Sequence, residues 1–379
     1  MSGSAVTATV LVSADGTDWR DVSAPLAAVT VEDDDRITDQ AVIRFDDSTG
    51  VLADASFEGL EVRVGFGASA TPTYIFEGVV MAARMLAAPR RQLVELTALD
   101  FTYRLAARPY DPAEWRAGET LSSVLTRVVG RPANDLRPFQ IEPSADIMLD
   151  TRRPSRPANV NEWEFVLDQA RRQGCLAFCE FDGVDTSNFY FTPLTKIVAA
   201  EPVGELTYAR GGGTLLEFCY ERSSALAAPV RAAATIDPAT GTARTAPAPA
   251  VATAAPLPAP DTDRAAELGA RRGAALEALT EVAATATARL AGPVERISGE
   301  SARTAAELAY RPAQDPTAGL GLHGRGIALG TVALRAKSRV RIAGVAPWAV
   351  GDWYVRRVGH HYRRGGSGPN YSTEFLATR

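Results

Sequence analysis

The chain has 379 residues, 46% of them hydrophobic and 22% charged, with a net charge of −5, long and apolar enough for two or three domains with ample cores. No apolar run approaches the roughly 18 residues of a membrane span, and the N-terminus lacks a charged stretch followed by an apolar one, so neither membrane insertion nor Sec-type export is expected. The acidic balance argues against nucleic-acid binding, which needs a basic surface, and three cysteines fit folding in a reducing compartment.

Residues 1–105 read as β structure. Val6, Ala8, Val10 and Val12 alternate with Thr7, Thr9 and Ser13 before an Asp15-Gly16 turn, and Leu60, Val62, Val64 and Phe66 alternate with Glu61, Arg63 and Gly65. Two further apolar runs, Tyr74 to Met81 and Leu93 to Leu99, flank Pro89-Arg90-Arg91. Several short strands with turn signals between them predict a barrel or sandwich. The run Ile75-Phe76-Glu77-Gly78-Val79-Val80, followed by Ala98-Leu99-Asp100 and Tyr103-Arg104-Leu105, resembles the close of the first tube-like barrel in the phage late control D family. Those proteins are baseplate or tail hubs of contractile tails, related to the hub portion of VgrG-type secretion proteins.

Between 106 and 210 the period changes. Leu121, Val124, Leu125 and Val128 follow helical spacing up to Gly130. Asn161 with Glu164 predicts a capping box, Trp163, Val166, Leu167 and Ala170 an apolar face, and Arg171-Arg172 before Gly174 a helix end. Cys175 to Phe181 then meets Asn188 to Thr192 across an Asp-Gly loop, and this helix and hairpin look like the family's second, α+β domain. Trp163 is read as a core anchor, and Cys175 and Cys179 as buried thiols rather than half of a metal site.

Gly204 to Tyr208 and Leu215 to Ser223 return to a strand pattern. Ala232 to Ile236, with Asp237-Pro238-Ala239-Thr240-Gly241, resembles the strand and turn that open the family's second barrel. That barrel is assigned to 211–245 and 299–379, interrupted by an insertion at 246–298. Residues 246–260 are almost all Ala, Pro, Thr and Val, a linker composition, and Asp261 to Leu290 is rich in helix formers. Ser301 to Leu308 reads as a short helix. The chain closes on three strands, with Val340 and Ile342, then Gly351-Asp352-Trp353-Tyr354-Val355, then Tyr371, Thr373 and Phe375 facing a core. This order too is similar to the end of the late control D proteins. The fold class expected is thus mainly β, two tube-protein-like barrels around an α+β middle domain plus a linker and helical insertion.

Motifs for chemistry are missing. His360 and His361 are adjacent, so on a strand they point to opposite faces and cannot share a metal. There is no nucleophile elbow, Walker loop or His-Glu-x-x-His, and Gly211-Gly212-Gly213 lacks the lysine of a phosphate cradle. No catalytic residue, metal or cofactor is expected. The acidic run Glu32, Asp33, Asp34 and Asp35 lacks the alternating spacing of a Ca²⁺ loop and reads as a solvated loop, or else as acids lining a channel.

The resemblance implies a structural hub: a homotrimer whose six barrels form a pseudo-sixfold ring between a hexameric tail tube protein and a trimeric spike, with a channel that DNA or protein cargo passes without specific binding. Partners would extend to other baseplate proteins and the tape measure, in a virion tail baseplate or injection particle assembled in the bacterial host cytoplasm. Without a β-helix repeat at its end, the chain would take its spike from a separate polypeptide. A tail-associated peptidoglycan hydrolase would need a supported acid pair, and a carbohydrate-binding β-protein clustered exposed aromatics, whereas the tryptophans are scattered at 19, 115, 163, 348 and 353.

Overall fold

The computed structural model describes residues 6–52, 54–68, 71–88, 91–148, 160–209, 212–222, 322–365 and 370–379, together with the backbone of three short strands between 230 and 297. The expected linker at 246–260, helices at 261–290 and 301–308, the 237–241 turn and most of the 365–369 turn lie outside the described residues.

The first region holds β1 (Thr7–Ser13), β2 (Arg20–Asp21), β3 (Leu26–Asp34), β4 (Gln40–Asp46), β5 (Glu61–Ala68), β6 (Thr71–Ala88) and β7 (Arg91–Leu99). As the alternation predicts, Val62, Val64 and Phe66 of β5 point inward, where they meet Val10, Val29, Val31, Ile43, Phe45, Val94 and Leu96 in one apolar cluster. Gly78 is fixed by a close approach: a Cβ there would lie 2.1 Å from the Leu99 carbonyl oxygen, so the Phe-x-Gly-x-Val phrase carries a glycine for packing reasons.

The middle region adds helices α1 (Thr102–Ala106), α2 (Leu121–Val129), α3 (Glu162–Gln173) and α4 (Leu194–Ala199) to a small sheet ordered β8 (Arg137–Ile141), β10 (Ser187–Pro193), β9 (Cys175–Phe181). The capping box is formed: Asn161 Oδ1 accepts the Glu164 N–H at 2.8 Å and Glu164 Oε2 accepts the Asn161 N–H at 3.0 Å. Gly174 ends α3 in the left-handed conformation at φ 61°. Phe165, Val166, Phe189, Phe191, Leu125 and Val128 form a second apolar core, with Trp163 edge-on to Phe189. Cys175 and Cys179 are buried free thiols.

The last region contains β11 (Glu205–Thr207), β12 (Leu215–Arg222), β13 (Val230–Ile236), β14 (Ala243–Ala246), β15 (Val294–Ile297), β16 (Leu322–Leu329), β17 (Ser338–Ala343), β18 (Gly351–Arg363) and β19 (Tyr371–Thr378). Trp353, Val355, Val358, Phe375, Val340 and Ile342 make a third core. Ala232 to Ile236, expected to open the second barrel, lies in β13, which pairs with β14 and β15 in a separate small sheet, and no described pairing joins it to the large one. β11, placed by sequence in the middle domain, runs parallel to β17 and so joins the last region.

First and last regions share one sheet. Its strands run β12-β16-β19-β18-β3-β4-β7-β6-β5-β1-β2, with β17 attached to β18 and β11 to β17. The join is made by β18, whose first part pairs with β17 and whose second part, from Arg357 to Arg363, pairs with β3. A β-bulge between Val355 and Arg357 separates the two stretches. The mainly β fold class is thus observed. The middle region docks on this join, as Tyr354 packs against Leu194, Ile197 and Phe178.

Candidate functional site

Three acids of the run, Glu32, Asp33 and Asp34, end strand β3, and Asp35 follows in a bend, so the run is not a solvated loop. Within β3, strand alternation turns Val31 and Asp33 inward and Glu32 and Asp34 outward. Asp33 is 1% exposed. Its Oδ2 accepts from Arg335 Nε at 2.8 Å and from the Ala336 N–H at 3.0 Å, and its Oδ1 pairs with Lys337. Lys337, also buried, donates to the Asp34 carbonyl at 3.1 Å and lies 3.5 Å from Asp39 Oδ2. Asp39 in turn hands its own N–H to Asp100 Oδ2 at 3.0 Å, and Asp100 accepts the Thr102 N–H at 2.8 Å. The Phe178 ring of the middle region closes the cluster, 5.1 Å from the Lys337 ammonium.

Burial disfavours charge on every acid here, and the neighbours decide which remain ionised. For Asp33 the Lys337 and Arg335 charges outweigh burial and hold its carboxyl well below the usual range. Asp39 has burial and the Asp33 charge against it and is pushed well above its ordinary value. Asp100 and Asp35 are raised by burial as well, Asp35 despite Arg356 and Arg36. Lys337 is raised, since Asp33 and Asp39 offset the burial that would lower it. Asp35 completes the junction, accepting from Tyr354 Oη at 3.2 Å while its N–H bonds the Arg356 carbonyl at 2.9 Å. The result is a buried ionic knot tying β3 and β4 to the Leu334–Lys337 stretch and β18.

On the opposite side of the same strands lies a largely polar face, with Leu329 and Leu376 exposed among its charged groups. Glu32 accepts from Arg357 and Gln40 at 2.7 and 2.9 Å, and Arg325 donates to Glu374 at 2.7 Å. His361 stands between Thr30 Oγ1 at 3.3 Å and Glu374 at 3.9 Å, and Glu95 is shared by Arg44 and Arg84. Glu217, Cys219 and Glu221 of β12 extend the face at one end. The adjacent histidines divide as expected: His361 joins this face, while His360 is buried, its Nδ1 2.8 Å from Tyr371 Oη. Burial pushes His360 down to about 3, so it is neutral.

Of the four acids singled out by sequence, the structure thus places Glu32 and Asp34 on the polar face and Asp33 and Asp35 in the knot. Arg335, Lys337, Asp39 and Asp100 were not legible as one cluster, because the contacts that join them to Asp33 and to each other span 61 to 304 residues, apart from local bonds such as Asp34 N–H to Asp39 and Thr102 N–H to Asp100. Only the Ala98-Leu99-Asp100 phrase marked one of them. Among the described residues no group of three metal-ligating side chains converges, and no helix is long and apolar enough to cross a membrane.

No protein-family profile matches the chain, and no curated protein matches it. Solved structures do. A tail protein from Neisseria meningitidis superposes with a TM-score of 0.61 at 11% identity, covering 99% of this chain and 97% of that one. A 43 kDa tail protein of prophage MuSo2 from Shewanella oneidensis gives 0.61 at 10%, covering 98% of each. A component of the E. coli type VI secretion system, itself described as similar to T4 bacteriophage tail proteins, gives 0.51 at 12%, covering 93% of this chain and 73% of that one. Over nearly its whole length, the chain has the fold of phage tail proteins, shared with a type VI secretion component.

Proposed function

We propose that the chain is a structural hub of a tail baseplate or injection particle, with no catalytic role. Three copies form a pseudo-sixfold ring between a hexameric tail tube and a trimeric spike, and other baseplate proteins pack around it. One observation carries this reading: two regions with separate apolar cores share a single sheet whose other face is largely polar across both. One copy so built supplies two adjoining wall segments, and three copies supply six. In this reading the polar face lines the channel, with Glu32 and Asp34 in its wall. Its acids are largely matched by Arg357, Arg325, Arg44 and Arg84, so passing DNA or protein meets a wall with little net charge and gains little from counterion release.

Light scattering on the purified full chain, alone and with its tube and spike proteins, tests the assembly, and electron microscopy of the product tests the ring. A chain that stays monomeric and binds neither partner overturns the hub. Lysis of peptidoglycan by the purified protein would overturn the non-enzymatic reading.

A further inference from the structure

The buried knot holds more acid than base. Asp33, Asp39 and Asp100 are buried, and Glu180 of β9 lies near enough to act on both Arg335 and Lys337. Asp35 stands apart with Arg36 and Arg356, each at 3.6 Å. Among the described residues, four carboxyls therefore face two cations. The remaining titratable neighbours add no charge, since burial pushes His360 down to about 3 and the Cys179 thiol up. Asp33 takes direct bonds from both cations. Lys337 reaches Asp39 at 3.5 Å, and the bonds of Asp100 come from Thr102 and the Asp39 N–H, none of them a cation. A carboxyl shut away from water without a counter-ion of its own is held most cheaply as the neutral acid.

The packing around these two acids agrees. A hollow of about 10 Å³, close to the size of one water, lies where they meet the middle region. Thr38, Asp39, Asp100 and Thr102 line it from the sheet side, and Trp163 and Phe178 from the other. Neutral carboxyls can face those rings across a single water, whereas carboxylates would draw in more water than the hollow admits. We infer that Asp39 and Asp100 form a buried proton-binding pair whose protons seal the middle region onto the shared sheet. Burial and the Asp33 charge raise Asp39 well above its ordinary value, and burial raises Asp100 and Glu180. Groups raised in this way are neutral at low pH and penalise the sealed state as pH climbs through their folded values, so alkali loosens the seam. The inference does not depend on the hub reading.

Infrared spectra of the full chain at about pH 7 are expected to show the carbonyl band of protonated carboxyls, weakened in Asp39→Asn and in Asp100→Asn. Trp163 reports the seal, its emission taken as the difference between wild type and Trp163→Phe. Between about pH 6 and about pH 9.5 the wild type should lose the part of the band assigned to Asp39 and Asp100 and shift Trp163 emission to the red with the same midpoint, while circular dichroism holds. The double variant Asp39→Asn/Asp100→Asn, neutral at every pH, should show no such shift. Absence of the band in the wild type overturns the pair, whether or not the variants fold. A band that both Asn variants leave intact places the protons elsewhere and overturns it as well. A band that persists to about pH 9.5, or that disappears with no change at Trp163, overturns the seal.

Discussion

Glu32 and Asp33 are adjacent in sequence and chemically alike, yet they end in opposite surroundings. Glu32 lies on the polar face, its Arg357 partner 42% exposed, whereas the carboxylate of Asp33 sits with Lys337 where both side chains are 1% exposed. The pairs are equally short of special chemistry, so the difference between them is solvent. In water a charge pair gains little, because each ion was already well solvated. In the interior, removing one partner strands the other without water. The buried knot therefore fixes how first and last regions join, and the outer pairs set the character of a surface.

Asp33→Asn should have the largest effect, about 3–5 kcal/mol lost in denaturant unfolding, because Lys337 and Arg335 would keep their charges without a full counter-ion. A loss under about 1 kcal/mol would mean the knot is open to water. The cost has a pH signature. Asp33 is depressed below its ordinary 3.8, so its stabilisation is complete above that value and lost as pH falls through the folded value. The gap between wild type and Asp33→Asn should thus be widest near neutral pH and shrink on acidification below about 4. Asp39 and Asp100 are raised, and their burial works the other way, costing more as pH climbs past the ordinary carboxylate range. Comparing the variant with wild type isolates the Asp33 share.

Gly78→Ala comes next, at about 1–3 kcal/mol, because β6 and β7 must separate to admit a Cβ against the Leu99 carbonyl. Thermal unfolding that leaves this variant unchanged would show that the two strands have slack. Asn161→Ala removes the α3 cap and should cost about 1 kcal/mol, read from the same melting curves. Glu32→Gln is the smallest, within about 0.5 kcal/mol of wild type. Should Glu32→Gln cost as much as Asp33→Asn, the contrast between the two faces fails.

Sequence alternation was enough for the strands themselves. Val62, Val64 and Phe66 point inward as their spacing requires, and Asn161, Glu164 and Gly174 announce both ends of α3, since a capping box and a left-handed glycine are local devices. His360 and His361 were separable for the same reason, a period of two. The acidic run was misread as a loop because four consecutive acids look solvated when their partners are not in view. Arg335 and Lys337 stand some 300 residues further on, separated from Asp33 by 302 and 304 positions.

What the chain determines by itself is therefore local: which residues form strands and helices, where α3 starts and stops, and which side of each strand is apolar. Tertiary structure alone decided which strands are neighbours. Pairing of β18 with β3 makes two regions into one sheet, and β13 pairs away from it, although the period-two pattern is the same in each. A strand's pattern states that one face must be covered but not by what. The fate of Asp33 was settled at that level too, because a carboxylate is kept charged in the interior only when the fold delivers Lys337 and Arg335 to it.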